Sequence, residues 1–238
     1  MRAPGLFLSL PLAFAVVAGA GRAADDDPTR PVPRKDNVVW LERHAALLER
    51  AKKGADVVFL GDSLTQGWEG PEGRDAWKKH FEPLKAANFG AGGDRTEHVL
   101  WRVTEGRELQ GLKPRVIVLE VGGSNLASNS ADEIVDGITA LVRELGRQKP
   151  EAKVLLLGLL PRGVRANDKF RDKIKEINKG LAGLADGKKV RYLDAGAKFL
   201  DKGGDLVEEA MPDGLHPSAK GYALWAEAIK EPLAEMLK

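Results

Sequence analysis

Short unbroken apolar runs alternating with longer amphipathic stretches predict an α/β protein of three layers, with a doubly wound, mostly parallel five-stranded sheet at its centre. Three observations carry that expectation. Val57-Val58-Phe59-Leu60, Val116-Ile117-Val118-Leu119 and residues 154–160 are apolar without alternation, as strands buried on both faces are. The stretches between them repeat apolar residues every three or four positions, the spacing of one helix face. Several runs end on glycine-rich polar turns, the kind of segment that gathers at the carboxyl rim of a parallel sheet.

In chain order, Trp40, Leu41, Ala45, Leu47 and Leu48 form a helical stripe over residues 38–53, closed by Gly54. The first strand, 57–60, runs into Gly61-Asp62-Ser63. Residues 68–81 read as a loop and a short helix, with Trp77 in the core and Trp68 walling a substrate pocket beside the first turn. A second strand spans 86–89. A helix is expected over 96–109, with His98 given no catalytic role. The third strand, 116–119, continues through Glu120 and Val121 to Gly122. Ile134, Ile138, Leu141, Val142 and Leu145 mark a helix over 131–148, opened by a Ser130/Glu133 capping box. A fourth strand, 154–160, is stopped by Pro161. Phe170, Ile174, Ile177, Leu181 and Leu184 place a helix over 168–185. The fifth strand, 190–194, ends on Asp194, read as a loop cap, and a last helix covers 219–237.

Two turns at opposite ends of the chain carry chemistry. Ser63 stands where a buried strand ends and Gly61 permits a tight turn. Alone it reads equally as a helix cap. Asp213-Gly214-Leu215-His216-Pro217 can fold so that the carboxylate accepts the Nδ1 proton and leaves Nε2 free to take one from a hydroxyl. Pro217 keeps His216 in extended or turn geometry, outside the following helix. With no cysteine in the chain, Ser63 is the nucleophile such a base would serve.

At these residues the chain resembles the GDSL, or SGNH, hydrolases. Gly61-Asp62-Ser63-Leu64 is similar to their first block and Asp213/His216 to their last. Asn88-Phe89-Gly90-Ala91-Gly92-Gly93-Asp94 resembles the second, and Gly122-Gly123-Ser124-Asn125 sits where the third belongs. Gln66-Gly67-Trp68-Glu69-Gly70 and His98-Val99-Leu100-Trp101-Arg102 are nearest the branch of the platelet-activating factor acetylhydrolase catalytic subunits. The likeness covers residues 37–238. It implies strand order 2-1-3-4-5, a catalytic Ser63, Asp213 and His216, and an oxyanion hole from the N–H groups of Ser63 and Gly93 plus an asparagine side chain. The family pattern is Gly-x-Asn, and here that position holds Ser124, with Asn125 one residue later. Either the Ser124 hydroxyl substitutes, or Asn125 reaches in, or a donor is missing. The resemblance also implies removal of short acyl groups, acetyl above all, and a homodimer. Gly90-x-Gly92-Gly93 does not fit the dinucleotide fingerprint G-x-G-x-x-G.

Composition narrows the remaining classes. At 238 residues, one domain with a substantial core is expected. Lys+Arg of 37 against Asp+Glu of 35 leaves no strong field for nucleic acid or a membrane surface. Four scattered histidines and no cysteine argue against a zinc site, and no cofactor is called for. Residues 1–24 read as a secretory signal. Arg2 begins it, an apolar stretch runs from Leu6 to Ala20, and cleavage is placed near Ala20 or Ala23–Ala24. The stretch is short for a membrane span, which needs about 20 apolar residues. Residues 25–36, charged and proline-rich, read as a flexible lead-in to a domain over 37–238. The reading that results is a secreted or periplasmic serine esterase acting on a small-molecule or glycan ester. A glycan-binding module whose chemistry has decayed, and an acyltransferase using the same three residues, are the alternatives.

Overall fold

The computed structural model describes residues 26–238. The secretory signal read from residues 1–24, with its cleavage positions, lies outside the described residues. Five parallel strands, β1 (Val57–Gly61), β2 (Ala86–Gly90), β3 (Val116–Glu120), β4 (Lys153–Leu157) and β5 (Val190–Leu193), pair in the order β2-β1-β3-β4-β5. Side chains alternate across the sheet because successive Cβ atoms point to opposite faces. Val58, Leu60, Ile117, Leu119, Val154 and Leu156 pack on one side with α1 (Val38–Ala51), α4 (Thr96–Val103), α5 (Ala131–Gln148) and α6 (Arg171–Ala182). Val57, Phe59, Val116, Val118, Leu155 and Leu157 pack on the other with α2 (Ser63–Gln66), α3 (Arg74–His80) and α7 (Ala219–Met236). Both faces are dry, which is why these strands carry no polar alternation.

The register decides where chemistry can occur. Gly61 lies opposite Gly90 on one side and Glu120 on the other, so β2, β1 and β3 end level. The connection from β1 goes outward to β2, whereas the chain beyond β3 winds the opposite way to β4 and β5. The crevice between the ends of β1 and β3 is therefore the switch point of the sheet, where open α/β folds bind ligands.

Helix positions follow the sequence patterns, including the Ser130/Glu133 capping box of α5. The expected helix over 96–109 instead stops at Val103. Any Cβ at Gly106 would come within 2.9 Å of the Arg102 Cα, so the chain doubles back there, and Glu108 folds beneath Arg102. Nor are residues 26–36, the described part of the expected flexible lead-in, loose. Asn129 Nδ2 donates to Asp26 O at 3.0 Å, Thr96 Oγ1 to Pro28 O at 3.1 Å, and Val32 N to Glu97 O at 3.1 Å. The segment is a strap, because its carbonyls satisfy buried polar groups on the adjoining loops and helix that would otherwise be orphaned.

Candidate active site

The site is built on the turn after β1. A Cβ at Gly61 would overlap Glu120 O and Thr65 Oγ1, so only glycine lets the strand break into α2 this close to β3. Asp62 caps α2, its Oδ1 accepting from Leu64 N at 3.0 Å. Ser63 is the first helical residue, half-buried at the rim. Tyr222 in the first turn of α7 donates its hydroxyl to Leu64 O at 2.9 Å, which ties the chain just beyond His216 to the residue after Ser63. His216 in turn acts electrostatically on the Asp62 carboxyl. The two distant turns thus share one rim.

Asp213 organises the second turn. Its Oδ1 accepts from Leu215 N at 2.8 Å and His216 N at 2.6 Å, and its Oδ2 lies 2.8 Å from His216 Nδ1. Partial burial pushes the carboxyl up, but the hydrogen bonds from the backbone and ring of His216 and from Leu215 outweigh it, so Asp213 stays ionised below the ordinary carboxylate range. Gly214 takes φ 73° to make the turn, and its carbonyl accepts from Gly163 N at 2.8 Å. Neither Ser63 Oγ nor His216 Nε2 hydrogen-bonds another described protein group, so both atoms are uncommitted at the rim.

The loop after β2 is fixed from below. Ala91 N donates to Gly61 O at 3.1 Å and Gly92 N to Gln66 Oε1 at 2.6 Å, while Gly93 stands exposed at φ 73°. Beneath it, Arg102 donates to Asp94 Oδ2 at 2.7 Å, Glu108 Oε2 at 2.6 Å, Phe89 O at 3.0 Å and Gly61 O at 2.9 Å. Trp40 Nε1 completes Asp94 at 2.7 Å, and His44 Nδ1 meets Glu108 Oε1 at 2.7 Å. Sequence reasoning passed over this network. Its signal was an arginine embedded among Val99, Leu100 and Val103, on the face of α4 that turns inward.

The loop after β3 corrects one expectation and leaves a narrower one. Asn125 is fully buried, with its amide consumed: Oδ1 accepts from Thr96 N at 3.0 Å, and Nδ2 donates to Glu97 at 3.0 Å and Asn129 at 3.1 Å. It caps α4 and does not reach the rim, so it is no oxyanion donor. Ser124 is half-buried with an uncommitted hydroxyl, beside a Gly123 whose Cβ would sit 3.7 Å from Asp62 Oδ2. Trp68 also departs from its expected place. It is 1% exposed, enclosed in an aromatic cluster of Phe59, Trp77, Phe81, Tyr222 and Trp225. Its size and apolar surface are better satisfied under the helices than at a wet rim. Asp194 caps its loop as expected, accepting from Gly196 N at 2.7 Å. Among the described residues no group of His, Asp and Glu is arranged to hold a metal ion.

Fold and rim together define a three-layer α/β protein with a serine at the switch point and an Asp–His pair on the same edge. The model of the GDSL-like lipase/acylhydrolase family matches residues 59–224. Platelet-activating factor acetylhydrolase IB subunit alpha1 of Rattus norvegicus is 36% identical over 223 residues, 93% of this chain and 94% of that protein. The alpha2 subunit of Gallus gallus is 40% identical over 201 residues, 84% and 85% of the two chains. Among solved structures, a GDSL-like lipase from Bacteroides thetaiotaomicron superposes with a TM-score of 0.67 at 21% identity, covering 84% of this chain and 99% of that one. A variant of an acetyl-xylooligosaccharide esterase from Geobacillus gives 0.57 at 19% identity, covering 77% and 95%. The chain belongs to the GDSL-like lipase/acylhydrolase family, and it is a carboxylic ester hydrolase.

Proposed function

We propose that this protein is a serine esterase that removes acetyl or similarly short acyl groups from oxygen esters, through Ser63, His216 and Asp213. The observation that carries the reading is the Asp213–His216 turn. It fixes the imidazole by its Nδ1 edge, leaves Nε2 unpartnered, and stands on the rim that exposes Ser63. His216 deprotonates Ser63 as the hydroxyl attacks the acyl carbonyl, and Asp213 holds the ring in the tautomer this needs. Negative charge then develops on the carbonyl oxygen. The N–H groups of Ser63 and Gly93, with the Ser124 hydroxyl, are the donors that would receive it. The alcohol leaves with the proton from His216, and water activated by the same ring clears the acyl-enzyme.

The acetyl assignment is supported by two relatives named for acetyl removal, the acetylhydrolase subunits and the acetyl-xylooligosaccharide esterase. The apolar N-terminal stretch supports export, which makes an extracytoplasmic glycan or small ester the accessible substrate. The test is p-nitrophenyl acetate turnover by the mature chain and by Ser63→Ala. The variant is expected to lose at least about 10³-fold in kcat. Equal rates of p-nitrophenol release would refute the mechanism.

A further inference from the structure

The two loops that frame Ser63 are each crossed by an arginine that the mechanism does not use. On the β2 side, the strap brings Arg34 over the glycine loop. Its Nη1 donates to Gly92 O at 2.7 Å, and a Cβ at Gly93 would lie 3.4 Å from both Nη1 and Nη2. On the β3 side, Arg162 donates Nη1 to Gly123 O at 3.4 Å and lays its guanidinium 5.0 Å from the centre of the Phe170 ring. Each arginine therefore spends one nitrogen on a carbonyl of the rim. The rest of each fork makes no hydrogen bond to a described residue.

The nearby carboxylates leave part of each guanidinium fork unengaged. Arg34 Nη1 also donates to Asp94 Oδ1 at 3.4 Å, a longer contact than those Asp94 makes with Arg102 and Trp40, both at 2.7 Å, and Nε and Nη2 of Arg34 stay unengaged. Asp213 is taken by His216 and its own turn, and Asp168 accepts from Phe170 N at 3.1 Å. Positive potential on the strap side is felt by His98, which burial and then Arg34, Arg95 and Arg102 push down to about 3. It is thus neutral, and its Nδ1 accepts from Arg95 N at 3.0 Å.

We propose that Arg34 and Arg162 are specificity-determining residues that select esters carrying a second, anionic group, a carboxylate or a phosphate, close to the scissile bond. Guanidinium forks suit both oxyanions, since two parallel N–H donors match their geometry. An acetyl group has no room for a charge, so the anion belongs to the alcohol half. Among glycans this points to O-acetylated sugars bearing uronic acid or phosphate rather than neutral acetylated chains. The inference rests on the esterase reading above and adds to it the charge of the substrate.

The experiment compares kcat/KM for O-acetylated oligogalacturonides and O-acetylated xylo-oligosaccharides of equal length, with an acetylated sugar phosphate to separate the two anions. The expected preference for the anionic substrates is about tenfold, one partly exposed charge-assisted contact, expressed mainly in KM and reduced by added salt. Arg34→Gln and Arg162→Gln should each lower the ratio, while Arg34→Lys, which keeps the charge, should retain most of it. A ratio near one in the wild type, or a ratio unchanged in both glutamine variants, overturns the proposal. If the wild type turns over no ester at all, the esterase reading is what fails. Calorimetric binding of deacetylated oligogalacturonide against xylo-oligosaccharide to Ser63→Ala then still decides whether the rim prefers an anion.

Discussion

Glu120 sits under harsher electrostatic conditions than any surface carboxylate of this chain. It is 2% exposed, its Oε2 has no hydrogen-bond partner, and it lies opposite Gly61 with the Asp62 carboxyl close by. Burial, then the charge of Asp62, pushes Glu120 well above the ordinary carboxylate range. Burial raises Asp62 to about 7, Asp94 adding to the shift while the Leu64 N–H, His216 and Arg102 oppose it. The folded state therefore holds protons that the unfolded chain releases near pH 4. Stability from this pair is fully present below that pH and is lost as the pH rises through 7. Glu120→Gln removes one of the two charges. It is expected to raise stability by more than about 1 kcal/mol at pH 8 and by little at pH 4.5, measured by urea unfolding. A gain independent of pH would show that Glu120 is not protonated in the fold. Ser124 is the other residue with a consequence. Asn125 being committed to Thr96, Glu97 and Asn129, the β3 loop presents only the short Ser124 hydroxyl at the rim, the donor the proposed mechanism would use. Ser124→Asn should raise kcat on p-nitrophenyl acetate by roughly tenfold or more, within the range a single oxyanion donor commands. No gain would mean that the serine hydroxyl already does this work, or that Gly93 and Ser63 suffice.

At the scale of elements, the rim is precise because two strand ends and two helices converge on one buried cation. Arg102 touches the carbonyls of Phe89 and Gly61, so β1 and β2 are locked at the level where Ser63 and Gly93 emerge. Arg102, Asp94 and Glu108 are all fully buried, and removing the cation would strand two carboxylates in a dry interior. Arg102→Ala is expected to cost about 3–5 kcal/mol by chemical unfolding. A loss below about 1 kcal/mol would mean that Asp94 and Glu108 become protonated or find other donors. The strap works on the same loops from outside. Composition marks residues 25–36 as loose, yet Pro28 fits against Gly137, where a Cβ would come within 2.8 Å of it, and the carbonyls of Asp26 and Pro28 fill specific gaps around α4 and α5.

For the whole molecule, the choice of rim follows from strand order. The carboxyl ends of β1 and β3 diverge at the switch point, and Ser63 and Ser124 emerge there. A hollow of about 730 Å³ lies at the opposite ends of the strands, among Lys113, Arg115, Lys149, Lys153 and Met236, far from the serine and the imidazole. The proposed export is also tested on the whole chain. Expressed with its leader in a secreting bacterial host, the protein is expected outside the cytoplasm with a new N-terminus between residues 21 and 25. Recovery of full-length chain in the cytoplasm would refute this.

Local rules were enough for much of this. Apolar runs without alternation set the strands, the Ser130/Glu133 spacing set the start of α5, and Gly-Asp-Ser after a buried strand singled out Ser63. The Asp213–His216 turn was legible too, since three residues suffice to close it. Contacts between distant segments were not. Whether Asn125 or Ser124 faces the rim depends on the start of α4, some thirty residues earlier, offering Asn125 a buried N–H. Trp68 could serve equally as a wall or as core until α7 supplied Tyr222 and Trp225 to cover it. Sequence alone determined most of the elements and singled out the candidate groups, because those depend on neighbours a few residues away. Tertiary structure decided which polar groups are consumed internally and which remain for a substrate, because a buried donor or acceptor takes whatever partner the packing brings to it.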